Sequence, residues 1–250
     1  MKVEGGRSIY GATLGILMLE ARFPRIPGDM GHAASFPFPV QYRLVDGATP
    51  DRVVRRKADG LLDDFIDAGR DLIRHGCDGI TTNCGFLALF QKELSEALSV
   101  PVATSSLMQV PAVNALLPPS KRAGILTISG STLTDRHLCL AGAPPDTPVA
   151  TTEGGKEFTR AILGDEPVLD IRAAEEDNVA AARRLCADRS VGAIVLECTN
   201  MTPYAAAIRQ ATGLPVFTMV NFCAWFYGAL TPRTFPHPHP TITMQITDAV

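Results

Sequence analysis

The same local pattern occurs twice in this chain at one fixed spacing, and few architectures accommodate that. Cys84 follows the run Gly79-Ile80-Thr81-Thr82-Asn83, and Cys198 follows Ala193-Ile194-Val195-Leu196-Glu197. Seventeen positions beyond each cysteine a Pro-Val-x-Thr segment begins, Pro101-Val102-Ala103-Thr104 in the first half and Pro215-Val216-Phe217-Thr218 in the second. A repeat that preserves both its thiol and its spacing predicts two lobes facing each other across one site. With 250 residues the chain is long enough for two such lobes.

Short Val- and Ile-rich runs alternate with longer stretches of helical periodicity, the pattern of an α/β fold. Strands are expected at 13–19, 40–45, around Ile80, 102–104, 123–128, 191–196 and 216–218. A long helix is expected to open at Asp51, bury Leu61, Leu62, Phe65, Ile66, Leu72 and Ile73, and stop at Gly76. Further helices are read over 86–98, 109–116, 171–187, 203–211 and 221–230. Strand–helix alternation implies mostly parallel sheets covered by helices. The expected division is 8–118 for lobe one with Cys84, 119–235 for lobe two with Cys198, and a segment 236–250 returning to lobe one.

Ligands of parallel sheets bind beyond the carboxyl ends of the strands, and both cysteines are placed there. At the junction of a strand and a helix, unpaired N–H groups stabilise a thiolate, so the thiol pKa is expected to fall toward neutrality. The same amides can hold a carboxylate or an enolate oxygen. Asn83, Gly85 and Phe86 flank the first cysteine, and Thr199 and Asn200 the second. A third polar turn, 127–132, offers Thr127, Ser131 and Thr132 to the same substrate. Arg22 and Arg25, in a Pro-rich loop after the first strand, are candidates for clamping a carboxylate. His32, in the same region, is a candidate hydrolase base. A disulfide between Cys84 and Cys198 is the competing use of the two thiols. Cys77, Cys139, Cys186 and Cys223 are read as small apolar residues.

Other classes find less support. A net charge of -3 gives no electrostatic case for nucleic acid or an anionic membrane surface, and no apolar run reaches a membrane span. The scattered cysteines and an N-terminus without a leader pattern point to a cytoplasmic protein. His237 and His239, between prolines, form a weak metal motif; a connecting segment is the alternative.

At Thr82-Asn83-Cys84-Gly85 and Glu197-Cys198-Thr199-Asn200-Met201 the chain resembles the aspartate/glutamate/hydantoin racemase superfamily. Gly15-Ile16-Leu17, the first cysteine, 127–132 and the second cysteine come in that family's order. Cys198-Thr199 matches its second cysteine turn. Asn83-Cys84 departs from the Cys-Asn-Thr turn of the acidic amino-acid racemases, and Cys198-x-x-Met201 is similar to the hydantoin branch. The resemblance implies two pseudo-symmetric α/β lobes with the active site in the cleft between them, no metal, and no pyridoxal or other cofactor. It implies Cys84 and Cys198 as an acid/base pair, one thiolate removing a proton beside a carboxylate or carbonyl and the other thiol returning one to the opposite face.

The expected function is thus a racemase or epimerase of an amino acid or hydantoin-like small molecule; a homo-oligomer is compatible with it. A diacid cis–trans isomerase or a malonate-type decarboxylase is the alternative within the superfamily. A binding protein without turnover is the alternative outside it.

Overall fold

The computed structural model describes residues 2–235; the segment 236–250, with His237 and His239, lies outside the described residues. Eight strands form two four-stranded parallel sheets of identical connectivity. The first holds β1 (Leu14–Leu19), β2 (Val40–Val45), β3 (Gly79–Thr82) and β4 (Val102–Ala103) in the order β2-β1-β3-β4. The second holds β5 (Arg122–Thr127), β6 (Val149–Thr151), β7 (Val191–Leu196) and β8 (Val216–Phe217) in the order β6-β5-β7-β8. The sequence repeat is therefore a repeat of topology, with β3 and β7 as equivalent central strands.

Helices bury both faces of the central strands: β7 reads as a nearly continuous apolar run, and all four residues of β3, Gly-Ile-Thr-Thr, are buried. In the first sheet α1 (Leu62–Arg74) packs Phe65, Ala68 and Leu72 against it, and α2 (Gln91–Ala97) adds Leu94. In the second, α6 (Ile171–Leu185) contributes Ala174, Ala181, Ala182 and Leu185, and α7 (Ala205–Thr212) contributes Ile208. Two shorter helices, α3 (Val110–Leu116) and α4 (Asp135–Leu140), close the opposite face over Ile125, Ala193 and Val195. The last helix, α8 (Met219–Leu230), follows the second sheet in sequence yet packs Met219, Cys223 and Phe226 against Leu14 and Ile16 of the first.

Two expectations for the local structure need correction. The helix expected from Asp51 is broken: Asp51–Arg55 is a short, wide turn with a hydrogen bond from Arg56 N to Asp51 O. The chain then passes through Lys57, Ala58 and Gly60 at φ 56°, 55° and 70° before α1 begins. Burial of Val53, Val54 and Ala58 holds this turn in place. The helix expected from 86 begins instead as a 3-10 stretch, Gly85–Phe90, that widens into α2, and a matching 3-10 stretch, Thr199–Tyr204, precedes α7, which lies close to the expected 203–211. Strand β6 and helix α5 (Phe158–Leu163) were not anticipated. Among the described residues no helix is long and apolar enough to cross a membrane.

Candidate active site

Cys84 and Cys198 each lie two residues past the end of the central strand of their sheet, and both line one narrow cavity between the lobes, with about 20 Å³ in which the centre of a water molecule fits. Its walls are mostly apolar: Leu19 and Phe23 from the end of β1, Pro50 and Val54 from the wide turn, Phe86, Ile128, and Ile162 with Leu163 from α5. The polar lining comes from Asn83, Asn200 and Glu197. All six cysteines are free thiols.

The two lobes are stitched together at these turns. Thr199 Oγ1 donates to the Asn83 carbonyl across 2.6 Å, and Ser106 Oγ donates to the carbonyls of Leu196 (2.5 Å) and Glu197 (3.1 Å). Each cysteine turn is thus braced by a hydroxyl of the opposite half. The residues preceding the cysteines are equivalent as well. Asn83 Oδ1 accepts from Leu19 N at the end of β1 (2.8 Å), and Glu197 Oε2 accepts from Thr127 Oγ1 at the end of β5 (2.8 Å).

Cys198 Sγ donates to Asn200 Oδ1 at 3.4 Å, and Asn200 Nδ2 in turn donates to Asp29 Oδ2. Asp29 is buried, paired with Arg25 at 2.9 Å, and also accepts from Gly31 N at 2.7 Å. This chain orients the Asn200 amide and makes its oxygen the acceptor, an arrangement that favours the protonated thiol at Cys198. Arg25 also lies over the ring of Phe23, 4.7 Å from its centroid. It therefore reaches the margin of the cavity through Phe23 and Asp29.

The expected depression of the thiol pKa values is not found. Burial, reinforced by the Glu197 carboxylate, pushes Cys84 up to about 12 despite backbone N–H groups of Phe86 and Leu87 directed at it. Cys198 is raised well above the ordinary thiol range for the same two reasons, against the N–H of Asn200. The local field of a turn favours a thiolate, but loss of water around a half-buried or buried sulfur outweighs it. Burial likewise pushes Glu197 up to about 7.

Of the residues expected to hold substrate, Asn83, Gly85, Phe86 and Asn200 line the cavity with the cysteines. Thr127, Ser131, Thr132 and Thr199 do not. Thr127 is occupied by Glu197, and Thr199 by the lobe–lobe bond. Ser131 Oγ donates to Glu153 at 2.5 Å, and Thr132 Oγ1 donates to Ser129 Oγ at 2.8 Å, so the third turn is closed on itself. Arg22 bridges to Asp165 at 3.2 Å on the surface, and His32 stands outside the lining. Glu197 was missed, although a charged residue ending the apolar run of β7 is a visible anomaly. Gly85 is required by contact: a Cβ there would stand 2.4 Å from both the carbonyl and a carboxylate oxygen of Glu197. Among the described residues no cluster of three or more His, Cys, Asp or Glu could hold a metal ion.

Two like-connected parallel sheets with a thiol from each at one cavity define a pseudo-symmetric α/β fold with a two-cysteine cleft. Residues 54–226 match the family model for Asp/Glu/Hydantoin racemase, and the chain belongs to that family. Among curated proteins it is 32% identical over 232 residues to dimethylsulfoniopropionate lyase 3 of Emiliania huxleyi (strain CCMP1516), covering 84% of this chain and 58% of that one. It is 31% identical over 227 residues to dimethylsulfoniopropionate lyase of Durusdinium sp. clade D, covering 88% and 75%. The chain thus spans little more than half the length of the first of these relatives. A point variant of arylmalonate decarboxylase in a sulfate-associated form shares the fold, with a TM-score of 0.59 at 14% identity over 88% of this chain and 95% of that one. So does glutamate racemase RacE1 from Bacillus anthracis, with a TM-score of 0.56 at 14% identity over 88% and 81%.

Proposed function

We propose that this chain is a cofactor-independent lyase that removes a proton from the carbon beside a carboxylate and expels a sulfonium group from the next carbon, with dimethylsulfoniopropionate as substrate. The observation that carries the reading is the apolar cavity lined by one thiol from each lobe. Burial raises both thiols, so positive charge entering the cavity favours the thiolate. A sulfonium acid brings that charge with it, and the apolar walls suit its methyl groups. The similarity to dimethylsulfoniopropionate lyases over more than four-fifths of the chain points the same way.

In this mechanism Cys84 is the base, because the N–H groups of Phe86 and Leu87 are directed at its sulfur and Arg25 favours its anion. As the cation seats, Cys84 gives its proton to solvent. The thiolate then takes the α-proton, and the C–H electron pair forms the new double bond. The carbon–sulfur bond breaks with its electrons going to sulfur, releasing neutral dimethyl sulfide and leaving acrylate. Cys198, kept protonated by Asn200, donates to the carboxylate oxygen on which charge accumulates. Cys84 is left as a thiol, ready for the next cation.

Racemisation is the second reading, favoured by the presence of both thiols in one lining. Without a leaving group on the neighbouring carbon, the proton of Cys198 would be delivered to the opposite face. The test is incubation of the full chain in D₂O with dimethylsulfoniopropionate and, separately, with chiral amino acids and hydantoins, followed by headspace gas chromatography and NMR. Dimethyl sulfide and acrylate in equal amounts support the lyase. No sulfide, together with deuterium wash-in and loss of optical rotation in the second set, overturns it in favour of the racemase.

A further inference from the structure

Glu197 is the one charged side chain in the cavity lining among the described residues. It is fully buried, and while Oε2 is engaged by Thr127, Oε1 has no hydrogen-bond partner. Arg25, the cation at the cavity margin, is committed to Asp29. A desolvated carboxylate lacking a counter-charge is strongly unfavourable, so a cation placed beside Glu197 would stabilise its anion. The equivalent position of the other lobe holds the neutral Asn83, which makes the cavity charged on one side only.

The kind of cation that suits this carboxylate follows from the walls. A primary ammonium carries three N–H donors, and an apolar lining with one unpartnered, buried carboxylate oxygen satisfies them poorly. A methylated onium ion has no donors to satisfy. It presents methyl groups to Ile128, Ile162 and Leu163, and the rings of Phe23 and Phe86 are π-surfaces that attract such a charge.

We infer that Glu197 is the specificity-determining residue of this site, selecting a small carboxylic acid whose far end is a methylated onium cation over a neutral acid of the same shape. The inference deepens the proposed function and rests on it only in taking a small carboxylic acid as the occupant of the cavity.

The experiment is calorimetric binding of two probes that resist elimination and differ only in charge, 3-(trimethylammonio)propionate and 4,4-dimethylpentanoate. The full-length chain is expected to bind the cationic probe at least about tenfold more tightly, the size of one desolvated charge contact. In Glu197→Gln the two affinities converge to within about twofold, whereas Glu197→Asp, which keeps the charge, retains a preference for the cation. Because the readout is a ratio, a general loosening of the site, which weakens both probes, does not move it. Equal binding of both probes by the unmodified chain, or an undiminished preference in Glu197→Gln, overturns the inference. Sulfide release is scored separately. A chain that prefers the cationic probe but releases no sulfide retains this inference and loses the elimination, and one that releases sulfide while binding both probes equally does the reverse.

Discussion

Replacing Glu197 by Gln should make the unliganded protein more stable, and only above a particular pH. Burial raises this carboxyl from 4.5 to about 7, outweighing the Thr127 hydroxyl and the Ile128 N–H that favour its anion. Between those two values the folded chain holds a proton that the unfolded chain has released, so stability falls as pH rises through the window. The contribution is fully present below pH 4.5 and lost once pH passes the folded value near 7. At about 1.4 kcal/mol per unit, the change from pH 5 to pH 8 weighs against the folded state by about 2–3 kcal/mol. Glutamine keeps the size of the side chain and an acceptor for Thr127 but has no charge to desolvate. Urea denaturation of both proteins at pH 5 and pH 8 isolates the effect, because pH-independent consequences of the substitution cancel in the difference. The two thiols of the cavity, both held far above their ordinary range, do not titrate in the folded state within this interval. The variant should gain about 2–3 kcal/mol relative to the natural chain between the two pH values. A stability difference that is the same at pH 5 and pH 8 refutes the argument that Glu197 is a buried, uncompensated acid.

Cys84→Ala should lower turnover by about 10²–10⁴-fold in a sulfide-release assay. Alkylation mapped by mass spectrometry should find Cys84 in the free protein reacting at pH 8 at least about a hundredfold more slowly than an exposed thiol, and accelerating only toward its raised value of about 12. Thr199→Val removes the donor to the buried Asn83 carbonyl and should cost about 1–3 kcal/mol in urea denaturation, with Thr199→Ser recovering most of it. Gly85→Ala drives a methyl group into the Glu197 backbone and carboxylate, and should lower stability by about 1–3 kcal/mol in the same assay.

The strands and the cysteines were legible because both are local signals. Val40–Val45 and Val191–Leu196 match their expected bounds, since an apolar run between turn residues needs no tertiary information to be read as a strand. The six-residue helix Phe158–Leu163 escaped notice because one and a half turns among Gly, Lys and Glu carry too little periodicity. Continuous helical spacing from Asp51 to Ile73 concealed the wide turn, whose geometry is decided by where Val53, Val54 and Ala58 are buried. In the site, Cys84, Cys198, Asn83, Gly85, Phe86 and Asn200 came together because strand ends converge in parallel sheets. Ser131 and Thr132 lie off the cavity lining for a different reason. Hydroxyls are visible in a sequence, but the Glu153 that occupies Ser129 and Ser131 arrives from a neighbouring strand connection. The direction of the thiol shifts was misjudged likewise: a turn's field is encoded nearby, while dehydration is imposed by the whole molecule. Phe23 and Ile162, which wall the cavity, carry no sequence mark that separates them from ordinary core residues.

The hydroxyls of Thr199 and Ser106 tie each half's reactive loop to the other half's main chain. Neither cysteine turn can shift without dragging a main-chain carbonyl of the other, so the two loops move as one body. Cutting either hydroxyl therefore loosens both turns at once, and neither lobe's reactive loop can be remodelled in isolation.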